Sequence, residues 1–237
     1  MFTGKGYTKG STILASGTAG CGKTSFGAAF AVESCKRGER CLLLSYEESA
    51  GQLTQNMKSI GIDFTPWIKK GLLKIVALRP SFLGLEMHLL TVYKLVDSFK
   101  PKSVVVDPLT SLIGEGDERE VSSMLTRMID LLKSKSITTF FTSLVSANFK
   151  SNTSGEIGVS SLIDTWIVVR MVEDDEGRRR TREVFIVKSR GTNHNKDVHK
   201  FTMSDDGISV TPYDESTFSG NKKKDFDKNV AENKANQ

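Results

Sequence analysis

A glycine-rich loop of eight residues constrains this chain more than any other feature of its sequence. Residues 17–24 read GTAGCGKT, which is the full spacing of a Walker A motif. The apolar run from Thr12 to Ala15 precedes the loop, and small and apolar residues follow it as far as Cys35. This context predicts a strand, a tight turn and a helix that begins directly after the turn.

Such a turn is suited to binding phosphate, because the first N–H groups of a helix have no partners within the helix and present the positive end of its dipole to an anion. Lys23 is expected to reach the β- and γ-phosphates of a nucleoside triphosphate. A turn without a ligand is the alternative, but the complete motif with both flanks favours a phosphate site. The residues predicted to bind nucleotide are Gly17, Thr18, Ala19, Gly20, Cys21, Gly22, Lys23, Thr24, Ser25 and Asp107.

Three carboxylates are candidates for binding magnesium and for activating the attacking water. Asp107 ends the apolar run Val104 to Val106, where a Walker B carboxylate would hold the hydration shell of Mg²⁺. Glu47 and Glu48 follow a second apolar run, and ligands bind beyond the carboxyl ends of the strands in an open α/β sheet. We predict Glu47 as the base that orients the attacking water and Glu48 as its support, with Mg²⁺ held by Thr24, Asp107 and Glu48.

The alternation of apolar runs and helical patterns predicts an α/β fold with a mostly parallel central sheet and helices on both faces. Further strands are expected at Cys41 to Leu44, Leu72 to Ala77 and Ile137 to Thr142. The spacing of apolar residues predicts amphipathic helices over 85–99 and 121–132, and Ser49 to Gln52 is expected to form a capping box. From Trp166 onward the pattern predicts a C-terminal antiparallel extension, with successive edge strands at 167–172, 183–188 and 198–203.

Length and composition limit the domain organisation and the location of the protein but do not indicate a function. A chain of 237 residues is long enough for one large domain, expected over residues 1–215, and the polar residues 216–237 are expected to be disordered. The net charge of +5 is not arranged as a basic stripe. No apolar run reaches the ~20 residues that a membrane span requires, so a cytoplasmic protein is expected.

A helix N-terminus would lower the pKa of the Cys21 thiol, but a small filler in the loop is the favoured interpretation of this residue.

Six separated motifs carry a resemblance to a known family. They are GTAGCGKT, SYEES, VVVDPLTSL, FTSL, IGVSSLIDTW and VKSRGTNH, and together they resemble the C-terminal ATPase domain of the KaiC family, within the RecA superfamily. The resemblance implies a RecA-like P-loop core, a homohexameric ring with ATP and Mg²⁺ at subunit interfaces, slow ATPase activity, and serine/threonine autokinase activity. It also implies clock-type regulatory proteins as partners.

The same resemblance implies roles for individual residues. Glu47 and Glu48 match the catalytic glutamate pair, and Ser160 and Ser161 fall on the two phospho-acceptor positions. Lys188 and Arg190 fall on the positions that reach across to the ATP of a neighbouring subunit. The catalytic residues are therefore expected to be Lys23, Glu47, Glu48, Lys188 and Arg190. Gly155 stands where the family has a further threonine, which argues against an ordered phosphorylation cycle of the cyanobacterial kind.

Two other functions stay open at this point. A RecA- or RadA-like recombinase would need basic or aromatic loops that engage DNA, and the segment 146–158 offers only Phe149 and Lys150 among small polar residues. A nucleic-acid partner is therefore not favoured. The other alternative is a nucleotide-gated oligomer without kinase activity, in which ATP stabilises the interface.

Overall fold

The computed structural model describes residues 6–79, 84–145, 161–173, 178–191 and 193–213, and the side chains of all of these except 113–115. Within these ranges a single sheet of nine strands organises the molecule. The strands are β1 (Thr12–Gly17), β2 (Cys41–Ser45), β3 (Leu73–Ala77), β4 (Ser103–Asp107), β5 (Thr138–Leu144), β6 (Thr165–Glu173), β7 (Arg180–Ser189), β8 (His199–Ser204) and β9 (Gly207–Pro212). The helices are α1 (Lys23–Lys36), α2 (Ala50–Lys58), α3 (Thr65–Lys69), α4 (Leu85–Phe99), α5 (Glu118–Ser134) and a 3₁₀ helix, Leu109–Glu115.

The strand order is β3-β2-β4-β5-β1-β6-β7-β8-β9. All pairs from β3 to β6 are parallel, and the pairs from β6 to β9 are antiparallel. This confirms the predicted fold class, a mostly parallel α/β sheet with an antiparallel C-terminal extension. None of the three C-terminal segments predicted as edge strands lies at an edge, however. The strand β6 pairs with β1 and β7, β7 pairs with β6 and β8, and β8 pairs with β7 and β9.

The core explains why the parallel strands are continuous apolar runs. Successive side chains of a strand point to opposite faces, so Ile13 packs with α1 on one face while Leu14 packs with α4 and α5 on the other. Helices cover both faces, and β1, β2 and β4 are therefore buried along their whole length.

The helix ends follow local side-chain chemistry. Ser49 caps α2 by accepting a hydrogen bond from the Gln52 amide at 3.2 Å, which is one half of the predicted capping box. A complete box lies at the start of α5, where Asp117 and Glu120 each accept from the other's backbone amide. The α4 helix ends at Phe99, just before Pro101, as predicted.

The sheet has two edges that matter for function. The C-terminal ends of β1, β2, β4 and β5 form one of them, which we call the carboxyl edge. We call the opposite edge the one formed by the starts of β1 and β6 and the end of β7, since Thr165 of β6 pairs with both Ile13 and Ser189. Predictions that fall on residues 146–160, 174–177 and 214–237 lie outside the described residues.

Candidate active site

The phosphate loop joins β1 to α1 at the carboxyl edge, as predicted. Gly22 precedes the first turn of α1 with φ 105°, a left-handed conformation that favours glycine. A Cβ on Gly17 would lie 2.0 Å from the carbonyl oxygen of Val169, so only glycine allows β6 to pass this close to the loop. The backbone N–H groups at the start of α1 are therefore held in a fixed turn at the end of a buried strand.

Lys23 lies inside this loop. Its side chain is buried, and its Nζ donates a hydrogen bond to the carbonyl oxygen of Thr18 at 2.7 Å. A lysine held within the turn can reach the oxygens of phosphates bound there.

Asp107 stands opposite the loop at the end of β4. Its Oδ1 accepts hydrogen bonds from Thr24 Oγ1 at 3.2 Å and from Thr142 Oγ1. Burial raises the pKa of Asp107, the two hydroxyl donors lower it, and the nearby charges of Glu47 and Glu48 raise it again. The carboxylate and the Thr24 hydroxyl thus share one small, largely desolvated space.

The two glutamates follow β2 on the same edge and are held by different partners. Glu47 is exposed, and its Oε1 accepts a hydrogen bond from Ser111 Oγ at 3.0 Å. Glu48 Oε2 accepts one from Asn56 Nδ2 at 2.8 Å, and its backbone is fixed by Ser45. Ser111 belongs to the 3₁₀ helix directly after Asp107, whereas Asn56 belongs to α2.

The donor set suits a hard cation. Magnesium prefers oxygen ligands, and Thr24 and Asp107 present a hydroxyl and a carboxylate oxygen 3.2 Å apart. Among the described residues, no group of three or more His, Cys, Asp or Glu side chains could hold a metal ion. Magnesium usually keeps several waters and binds through one or two carboxylates together with phosphate oxygens, which is compatible with this pair of ligands.

Cys21 is a buried part of the loop rather than a reactive thiol. Its side chain is fully buried, and burial raises its pKa, although the charges of Lys23 and Arg182 act in the opposite direction. The lowering of its pKa that a helix N-terminus would cause is thus outweighed, and the interpretation as a small filler agrees with this burial.

Three other predicted site residues lie at the opposite edge. Lys188 lies near the end of β7, Arg190 follows that strand directly, and Ser161 is an exposed turn residue shortly before β6. They are separated from Lys23 by the length of β1, because Asp164, between Ser161 and β6, is bonded to Thr12 at the start of that strand. Ser160 lies outside the described residues.

Sequence reasoning missed the residues that hold these groups in place. Thr142 could have been found, because it follows Phe141 on β5 just as Asp107 follows Val106 on β4, and the two preceding residues pair in the parallel sheet. Ser111, Asn56 and Arg182 gave no signal, because their approach to the site depends on the path of the 3₁₀ helix, of α2 and of the antiparallel strands. The Nε of Arg182 is buried and has no hydrogen-bond partner among the described residues.

A phosphate loop at the switch between β1 and α1, a carboxylate at the end of a neighbouring buried strand, and two glutamates on the same edge define a P-loop ATPase with a RecA-like sheet. Comparison with known proteins agrees. The family described as "ATPase: KaiC" matches residues 1–215, and the chain belongs to this family.

Curated relatives carry related names. The chain is 44% identical over 211 residues to the circadian clock protein KaiC2 of Synechocystis sp., with 89% of this chain and 37% of the relative covered. It is 35% identical to the circadian clock oscillator protein KaiC of Picosynechococcus sp., with 87% and 40% covered, and 36% identical to that of Parathermosynechococcus lividus, with 87% and 38% covered. The chain thus spans about two fifths of the length of these relatives.

The comparisons and the site agree on an ATP-binding P-loop ATPase of the KaiC type. Within the described parts of the chain, no helix combines the length and the apolar character that crossing a membrane requires.

Proposed function

We propose that this chain is the ATP-hydrolysing unit of a homohexameric ring with serine autokinase activity, in which ATP lies between subunits. The observation that carries the proposal is the separation of the predicted site residues onto two edges of one sheet. Five residue steps of extended chain, roughly 17 Å, separate Thr12 from Gly17. Lys188, Arg190 and Ser161 are therefore too far from the phosphate loop of their own subunit and are suited to complete the site of a neighbour.

Hydrolysis in this proposal depends on Glu47. The hydrogen bond from Ser111 fixes the orientation of its carboxylate beyond the end of β2, where the γ-phosphate would lie. An ionised carboxylate in this position can accept a proton from the attacking water and align it with the phosphorus. Glu48, whose carboxylate accepts a hydrogen bond from Asn56, would support Glu47 by placing a second negative charge beside it.

Magnesium bound with the nucleotide would neutralise the charge that develops on the phosphate oxygens. Thr24 and Asp107 would hold it, with Glu48 as the predicted third contact. Lys23 would lie against the β- and γ-phosphates, and the amides of residues 17–25 would surround the remaining oxygens.

The kinase step replaces water with a serine hydroxyl. The Oγ of Ser160 or Ser161 in one subunit would attack the γ-phosphorus of ATP bound to the next, forming a new O–P bond. The bond from the γ-phosphorus to the bridging oxygen would break, ADP would leave, and the serine proton would pass to the carboxylate of the neighbour's Glu47. The exposure of Ser161 at the opposite edge supports this arrangement.

The names of the relatives suggest a regulatory use of this chemistry. Each phosphate would add about −1.5 to −2 charge at a subunit interface and would change the stability of the ring or its affinity for partners. We propose a role in timing, of the circadian or the stress-related kind, with clock-type regulatory proteins as partners.

The test is phosphopeptide mapping after incubation with Mg-ATP, comparing wild type with a Ser160→Ala/Ser161→Ala double variant and with Lys23→Ala. We expect phosphate on one or both serines of the wild type and none on either variant. Hexameric, ATP-hydrolysing protein without phosphate on either serine would contradict the kinase activity and leave an ATPase. Parallel reactions with and without DNA test the recombinase alternative, for which DNA should stimulate turnover.

A further inference from the structure

One carboxylate at the opposite edge forms ion pairs with two cations, on α5 and directly after β7. Asp164 is half-buried directly before β6, and its Oδ2 lies 2.8 Å from Lys133 Nζ at the end of α5. Its Oδ1 lies 3.9 Å from Arg190 Nη1. Lys188 of β7 pairs with Trp166, two residues after Asp164. Burial and the charge of Arg190 lower the pKa of Lys188, and the charge of Asp164 opposes this effect.

Asp164 is itself fixed to the strand that carries the phosphate loop. Its Oδ2 accepts a hydrogen bond from the Thr12 amide at 2.9 Å, and its own amide donates to the Thr12 carbonyl oxygen at 2.9 Å. The Arg190 amide in turn donates to the carbonyl oxygen of Asp164 at 2.8 Å. The residue therefore joins the start of β1 to the end of β7 through both backbone and side chain.

We propose that Asp164 is a positioning residue that sets the orientation of Lys188 and Arg190 toward the ATP of the neighbouring subunit. This inference rests on the proposed function, in which these two cations complete a shared site. Asp164 itself touches no nucleotide in this arrangement.

The physical reason is the repulsion between like charges. Lys133, Lys188 and Arg190 bring three positive charges to this part of the sheet, and the carboxylate of Asp164 acts electrostatically on all three. Its neutralisation would drive the cations apart and into solvent, because the Arg190 side chain is already 50% exposed.

The long contact between Asp164 and Arg190 also fits a positioning role. A separation of 3.9 Å is an ion pair without a hydrogen bond, so it orients the guanidinium without occupying its N–H groups. These groups can then meet phosphate oxygens in the forked geometry that arginine provides. Lys133, by contrast, is engaged by Asp164 at 2.8 Å and by the carbonyl oxygen of Leu162 at 3.2 Å.

The experiment removes the charge and keeps the shape. Asparagine at position 164 can still accept from the Thr12 amide, so Asp164→Asn tests the charge rather than the hydrogen bond. We expect ATP turnover to fall roughly 10-fold, the scale of a misplaced catalytic contact. Asp97→Asn is the matched control, because Asp97 forms an exposed pair with Lys135 at 3.7 Å, and it should leave turnover within about twofold.

Mixed rings give the readout that a purely structural role would not move. Lys23→Ala subunits lack their own phosphate site but keep Asp164, whereas Asp164→Asn subunits keep the phosphate site. In a random equal mixture, roughly a quarter of the interfaces combine an intact phosphate site with an intact Asp164. The turnover of the mixture should therefore lie about fivefold above the mean turnover of the two variants measured separately. Lys133→Met, which removes the pair with α5 alone, should stay within about twofold of wild type.

The outcomes separate the two proposals. If Arg190→Ala slows turnover but Asp164→Asn does not, the role of Asp164 is wrong and the shared site survives. An Asp164→Asn defect that mixing with Lys23→Ala fails to relieve, or that Lys133→Met reproduces, also overturns the role. If neither Lys188→Ala nor Arg190→Ala slows turnover, the shared site and this inference both fail. If circular dichroism shows Asp164→Asn to be unfolded, Asp164→Glu replaces it. This variant keeps the charge, and its turnover should fall only about threefold.

Discussion

At the scale of single residues, the site depends on a carboxylate that must stay ionised in a desolvated place. Burial raises the pKa of Asp107, and the hydroxyl groups of Thr142 and Thr24 oppose that effect by donating to it. The glutamates across the edge add to the rise, because their negative charge disfavours a second carboxylate nearby. The hydroxyl groups of Thr142 and Thr24 are thus the contacts that favour the charged form of Asp107.

A first prediction follows for Thr142. Thr142→Val keeps the shape of the side chain but removes one donor, so the pKa of Asp107 should rise further. Because Mg²⁺ requires the ionised carboxylate, the acidic limb of the rate profile for ATP hydrolysis should move to higher pH by roughly half to one pH unit. The measurement is turnover at saturating Mg-ATP between pH 5 and 9.

Thr139→Val is the control for Thr142→Val. Thr139 is equally buried on β5, but its hydroxyl bonds the carbonyl oxygen of Ile137 at 3.4 Å. Its variant should keep the wild-type profile. A wild-type profile in Thr142→Val would show that this hydroxyl does not tune Asp107.

A second prediction concerns the general base. Glu47→Gln keeps the hydrogen bond from Ser111 but cannot take a proton, so hydrolysis should fall by ~10²–10⁴-fold while ATP affinity changes little. Single-turnover hydrolysis and equilibrium nucleotide binding measure the two quantities separately. A larger loss in Glu48→Gln would reverse the assignment within the pair, and small losses in both would place the base elsewhere.

At the scale of secondary-structure elements, the sequence predicts most strands of the sheet, including β6, β7 and β8 of its C-terminal extension, but not their places in the strand order. The Walker A loop, the buried run ending in Asp107 and the periodicity of α4 and α5 are each local signals, and each lies where the sequence predicts. The strand β9, the short α3 and the 3₁₀ helix were missed, because brief elements with mixed burial carry no clear periodicity. The interior positions of β6, β7 and β8 were also missed, since strand order depends on long-range pairing rather than on composition.

The same limit applies to the site. Residues on the phosphate loop and at strand ends could be predicted because a parallel sheet brings its carboxyl ends together. The pairs Ser111–Glu47 and Asn56–Glu48 could not, because they join segments 64 and 8 residues apart through side chains of ordinary type. Asp164 gave no signal either, as its role depends on three elements that meet only in the folded sheet.

A third prediction arises from the packing of α4. His88 is fully buried against the ring of Tyr46, 4.8 Å between centroids, and neither ring nitrogen has a hydrogen-bond partner among the described residues. Burial lowers the pKa of His88 below its ordinary value of 6.5. The unfolded chain therefore takes up a proton as pH falls through 6.5, while the folded chain resists it until the lower folded pKa is reached.

The free energy of unfolding should consequently decrease as the pH falls from 7.5 to 5. In His88→Phe this part of the decrease should disappear, while stability at pH 7.5 stays close to wild type or rises. Urea denaturation at both pH values measures the difference. His194→Asn, which removes a histidine that is only partly buried, is the control and should follow the wild-type trend; an identical trend in His88→Phe would refute the prediction.

At the scale of the whole molecule, the sheet would act in the proposed ring as a spacer with half of a shared site at each edge. The carboxyl edge carries Lys23, Asp107 and the glutamates, and the opposite edge carries Lys188, Arg190 and Ser161. Such an interface would be heterologous, since one surface would meet a different surface of the next subunit, and its closed form would be a ring. ATP placed between the two edges would contribute to both the chemistry and the assembly.

The last prediction is that assembly depends on nucleotide. If the phosphates of bound ATP meet the cations of a neighbour, ATP binds the assembled state more tightly than the free subunit and shifts the equilibrium toward the ring by mass action. Size-exclusion chromatography with light scattering should show a larger species with Mg-ATP than without nucleotide.

Arg190→Ala and Lys188→Ala should each raise the protein concentration needed for assembly by about an order of magnitude, because each removes charge-assisted contacts to phosphate. Lys58→Ala, which removes an exposed lysine from α2, should assemble like wild type. A wild-type protein that elutes as a monomer at saturating Mg-ATP would contradict the shared site, and equal assembly of all four proteins would show that the two cations do not contribute to it.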